Sequence, residues 1–172
     1  KAVAHAFECD ILALADGFSE SIGSGNGTVI NYDTFGEVNR TFFNAGIDIS
    51  RPGNEAYAIV TPYVWEDLCA SRDEYQLAGD IGVKSFNSGK ILETPHGVRI
   101  VRSNNYTAAS GAIKQMVITK EAIMVGFGIM PRTQREYVLS ELGELVVSDV
   151  FYGVAELRDS AGIELNADEV NA

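Results

Sequence analysis

His5 and Cys9 stand four apart in "HAFEC", a spacing that puts an imidazole and a thiol on one face of a helix, with Glu8 and Asp10 beside them. Bound zinc needs about four such ligands. Only His96, Cys69 and carboxylates remain to supply the others, and no second close His/Cys pair occurs. Ser–His–Asp chemistry is equally short of parts. Its base would be His5, inside a helical run, or His96, in a turn after Pro95, and no G-x-S-x-G elbow is present. Carboxylate pairs such as Glu20 with Asp33, or Glu136 with Glu141, match the residue types of a glycosidase dyad. With 24 acidic residues in the chain, such pairs are expected by chance. The glycines of "GSGNG", residues 23–27, would cradle a phosphate only with a strand before them and a helix start after. A polar loop precedes them and the extended-looking "TVINYD" follows, so they read as a flexible loop with a tight turn at Asn26-Gly27. Asn26, Asn39 and Asn105 each fit the glycosylation acceptor pattern, but no secretory signal accompanies them and Asn39 lies in a helical run. The expected lists of catalytic, cofactor-binding and metal residues are therefore empty, and no cofactor is expected.

Composition narrows the remaining classes. The sequence has 172 residues, enough for one core or a core with a smaller lobe. Its hydrophobic fraction of 46% is that of a folded protein. Thirteen basic residues against 24 acidic ones give a net charge of −11, with no basic run, which argues against nucleic-acid binding. No apolar run reaches the roughly 18–20 residues that span a bilayer. Cys9 and Cys69 fit no paired motif and read as two reduced thiols. The first residue is Lys1, already within a helical pattern, and the expectation is of a processed or trimmed chain.

The elements follow from periodicity. Val3, Phe7, Ile11 and Leu14 predict a helix over about 2–15, stopped by Gly17. Thr34 with Glu37 has capping-box spacing, and Phe35, Val38, Phe42 and Ala45 form a stripe on a second helix that Gly46 closes. "AYAIVTP", residues 56–62, predicts a buried strand feeding a helix, with Thr61 as cap and Pro62 at the first position. Val64, Trp65 and Leu68 should face inward. Residues 73–90 read as irregular. Residues 90–93 and 98–102 predict a hairpin about 94–97, residues 113–118 a strand, and 120–125 a short helix. Residues 135–139 and 145–150 predict strands, the second extended by 151–154, and the last seven residues read as a loose end. The mixture is α+β, helices early and strands late.

The order of these elements is itself informative. "YAIVTPYVWEDLCAS" is followed, after a spacer, by "SGKILETPHGVRIVRSNN" and finally by "VFYGVAELRDSAGI". The series resembles the major capsid proteins of tailed bacteriophages, the Hong Kong 97 phage type and in particular podovirus-like coat proteins. Gly89, Ile91, Gly97, Ile100, Ser103 and Asn104 match one family stretch, and Tyr152, Gly153 and Leu157 match a later one. Asn105-Tyr106-Thr107 replaces the usual N-L-P, and Ala155-Glu156 replaces a small or apolar pair. Residues 1–16 resemble the back part of the family's spine helix, and within them residues 9–15 are similar to its sequence pattern. The resemblance implies a capsid fold in which residues 1–60 and 132–172 form the peripheral domain with the spine helix and its elongated antiparallel sheet. Residues 61–131 would form a mixed axial domain. It implies no enzyme activity. It implies self-assembly into hexamers and pentamers of an icosahedral shell that encloses DNA without reading its sequence. Scaffolding and portal proteins would be further partners, the location the virion, and assembly would occur in the host cytoplasm. The family's N-terminal arm and extended E-loop lie upstream of the spine helix and match nothing in this sequence. An encapsulin-type compartment shell, which shares the fold, is the alternative, and a small α+β ligand-binding or hydrolytic domain is a further one.

Overall fold

The computed structural model describes residues 2–24, 28–70, 94, 96–106, 112–140 and 142–168. Helix α1 (Ala2–Leu12) tightens into a 3-10 turn (Ala13–Gly17), so the predicted helix ends at its predicted glycine. Then come β1 (Ser21–Ile22), α2 (Tyr32–Asn44), β2 (Ala56–Val60), α3 (Pro62–Ala70), β3 (Val98–Arg102), β4 (Ala112–Thr119), β5 (Ile123–Val138), β6 (Gly143–Glu156) and β7 (Gly162–Asp168). Five strands form one mixed sheet in the order β1-β7-β4-β2-β3, and β5 with β6 forms a separate two-stranded ribbon. The class is α+β, as expected.

The sheet owes its stability to one apolar core. Phe35, Val38 and Phe42, at helical spacing on α2, are fully buried together with Val64 and Leu68 of α3. Ala56, Ala58 and Val60 of β2 are fully buried in the same cluster. Met116, Val117, Ile163 and Leu165 supply the central strands. Trp65 is half-buried, with the Arg102 guanidinium 4.4 Å above its ring. Gly162 marks a close approach: a Cβ at this position would fall within the Phe18 ring.

Two polar side chains are built into this apolar setting, and each serves backbone groups that strand pairing leaves over. Gln115 is fully buried; its Oε1 accepts from the Thr61 N–H and its Nε2 donates to Thr61 Oγ1, both at 3.2 Å. That hydroxyl in turn accepts from the Val64 N–H at 3.5 Å, so the predicted cap of α3 is itself held from the neighbouring strand. Tyr106 spans the junction of β2 and β4, donating to the Ile59 carbonyl at 2.6 Å and accepting from the Met116 N–H at 3.3 Å. Burial drives its hydroxyl pKa well above the usual value, so it stays a donor across any ordinary pH.

Three local expectations are corrected. The cap of α2 is Asn31, with Thr34 as its reciprocal partner three residues on, so Thr34 sits inside the helix. Residues 120–125 make no helix. A turn bonded Ala122 N–H to Thr119 carbonyl leads straight into β5, and the Ala122 carbonyl accepts from the Leu157 N–H at 2.8 Å. The strands expected at 135–139 and 145–154 are parts of a 16-residue β5 and a 14-residue β6. The expected strand at 98–102 is β3, which pairs with β2 in parallel. Its proposed hairpin partner, 90–93, lies outside the described residues, as do the irregular 73–90 and the tail 169–172. The turn before β3 is present, with Gly97 at φ +81° and its N–H bonded to the Thr94 carbonyl at 3.0 Å.

Replacing Gln115 by Leu should lower stability by about 1–3 kcal/mol, because the Thr61 N–H loses its acceptor inside the core. Thermal unfolding of the two proteins checks this. Gly162→Ala should cost about 1–3 kcal/mol by overpacking against Phe18, and an unchanged melting temperature would refute that close approach.

Candidate assembly surface

The β5–β6 ribbon is long, and little of it is covered. At about 3.4 Å per residue it extends on the order of 50 Å. All residues from Gly126 to Tyr137 on β5 are exposed. Large apolar side chains are among them and across from them: Phe151 is 67% exposed, Met130 69%, Leu145 51% and Val147 47%. Soluble monomers rarely expose apolar patches beyond a few hundred Å², and larger ones mark contact surfaces. An isolated two-stranded hairpin is also marginal in water without something packed on it.

The two strands are unequal. Between Phe127 and Arg132 the register slips twice, so that β5 carries two more residues than β6 over this interval. Gly126, Gly128 and Pro131 fall in or beside this interval, where a bulge accommodates what a regular ladder would not. Gly128 lies against the Phe151 ring, with no room there for a Cβ. Beyond the bulges pairing is regular from Arg132↔Asp149 to Val138↔Gly143.

One face of the ribbon's root rests on α1. The Phe7 ring meets Tyr152 edge-on at 5.0 Å and Phe127 at 5.7 Å, and Tyr152 donates to Asp10 at 2.5 Å. That hydrogen bond raises the Tyr152 pKa. The neighbouring residues of α1 face the other way, to the end of β3. Glu8 accepts from the Ser103 hydroxyl at 2.5 Å and the Asn105 amide at 2.6 Å, and Ser103 Oγ accepts from the Asn105 N–H at 3.2 Å. The serine and asparagine that end β3 thus anchor α1 to the sheet. Helix α1 is the joint between sheet and ribbon. A groove of about 470 Å³ runs between it and the ribbon, lined by Val3, Phe7, Phe127, Pro131 and Val150 among others.

The residues singled out for chemistry do not converge. His5 and Cys9 lie 3.8–3.9 Å apart on α1, and Cys9 Sγ is 3.5 Å from the Asn105 carbonyl. Among the described residues no group of three or more His, Cys, Asp and Glu is placed to hold a metal ion, and Cys9 and Cys69 are free thiols. His96 stands beside Gly36 of α2. Glu20 gives its backbone carbonyl to the Glu164 N–H, and Asp33 sits in the first turn of α2. Glu136 faces Leu145 on the ribbon; its imagined partner Glu141, and residues 25–27 of the glycine loop, lie outside the described residues. Asn39 is half-buried on α2, and Asn105 is engaged with Glu8. The exposed apolar face of the ribbon escaped the sequence reading. Its only signal was the alternation Leu145, Val147, Asp149, Phe151, which the valine at 146 obscures.

No protein-family model and no curated protein matches the chain. Solved structures do. The capsid of cyanophage P-SCSP1u matches with a TM-score of 0.66 at 16% identity, over 99% of this chain and 63% of that one. A structure of Mycobacterium phage Che8 matches with a TM-score of 0.74 at 15% identity, over 95% and 59%. The SrpI encapsulin complex of Synechococcus elongatus matches with a TM-score of 0.56 at 13% identity, over 97% and 62%. The chain thus spans about three fifths of the length of the proteins it matches. It has the α+β fold of tailed-phage major capsid proteins, the Hong Kong 97 type, which the encapsulin shares.

Replacing Phe7 by Ala should remove about 0.5–1.5 kcal/mol of aromatic contact. Amide exchange around Phe127 and Tyr152 should then quicken roughly three- to tenfold, with β2, β4 and β7 unchanged; equal acceleration in the sheet would contradict α1 as the joint.

Proposed function

We propose that this chain is part of a phage major capsid protein that builds a closed shell from copies of itself. The exposed apolar ribbon carries the reading: a shell subunit needs surfaces that stay open in the monomer and close on neighbours. The fold likeness to phage capsids supports it. On this reading hexamers and pentamers form an icosahedral particle around DNA, in the virion, after assembly in the host cytoplasm. Scaffolding and portal proteins are further partners, and no enzyme activity is assigned. We further propose that the axial and peripheral domains follow the two sheets. The five-stranded sheet with α2 and α3 is the axial candidate, and the ribbon with α1 the peripheral one. Its strands come from both of the stretches that the sequence resemblance assigned to separate domains, so the limits near 60 and 131 would move accordingly.

The net charge of −11 sets a condition on assembly. Like-charged subunits repel, so association must rest on apolar contact and local charge matching. An encapsulin-type compartment is the second reading, favoured by the likeness to the Synechococcus elongatus shell. Electron microscopy of the full-length gene product should give particles of uniform size. Packaged DNA within them supports the phage reading, a protein cargo supports the compartment, and monomers alone would refute both. Added salt should promote association by screening repulsion; sedimentation that instead reports dissociation would contradict an apolar interface.

A further inference from the structure

We draw no further inference here: the strongest candidate, the apolar tip of the β5–β6 ribbon, where Leu139 and Leu142 are 78% and 80% exposed and Leu142 is held in left-handed backbone at φ +50°, carries nothing because nothing in the structure shows what covers it.

Discussion

A ribbon of two strands has no interior. Each strand has one neighbour and two faces, so an apolar side chain on β5 or β6 can be buried only by something outside the ribbon. In this chain α1 covers the root of one face through Phe7, and the opposite face, with Phe151, Val147 and Leu145, is left open. At about 25 cal/mol per Å², hiding several hundred Å² of such surface is worth several kcal/mol. That is comparable to the whole stability of a domain. The exposed ribbon is therefore the feature that a functional account has to explain, and the proposed capsid function would cover it by association with further copies.

The rest of the molecule holds this ribbon in place. The core of the sheet and its helices is apolar, and the polar groups placed within it have defined partners: Gln115 with Thr61, Tyr106 with Ile59 and Met116. Rigidity in the sheet is passed to α1 by Glu8, which grips Ser103 and Asn105 at the end of β3. It passes on to the ribbon through Phe7 and Asp10. Four consecutive residues of one helix, Phe7 to Asp10, thus reach both parts of the structure. The polar groups along this path are joined to one another and fix orientation.

Much of this was legible in the residues. The α2 stripe, its stop at Gly46, the Thr61-Pro62 start of α3 and the strand at 113–118 all depend on local periodicity and caps, which neighbours in sequence determine. The misread places depend on partners far along the chain. Residues 120–125 have helix-forming types, but the Ala122 carbonyl is claimed by Leu157, and β6 draws the segment into a strand. Gly126, Gly128 and Pro131 look like breakers when read alone, yet opposite β6 they produce bulges and the strand continues. Likewise the parallel pairing of β3 with β2 cannot be read from either strand alone. The ribbon face was hidden for the same reason: its residues come together only through cross-strand register.

Hydroxyl-radical footprinting of assembled particles against dissociated subunits tests the central claim most directly. Met124, Met130, Leu145 and Phe151 are open in the single chain and chemically reactive. If copies close on the ribbon, labelling of Leu145 and Phe151 should fall several-fold on assembly while Phe43, exposed on α2, stays as a reference of independent position. Equal labelling of Leu145 and Phe151 in both states would mean that the ribbon stays bare in the particle, and the account given for its exposure would be wrong.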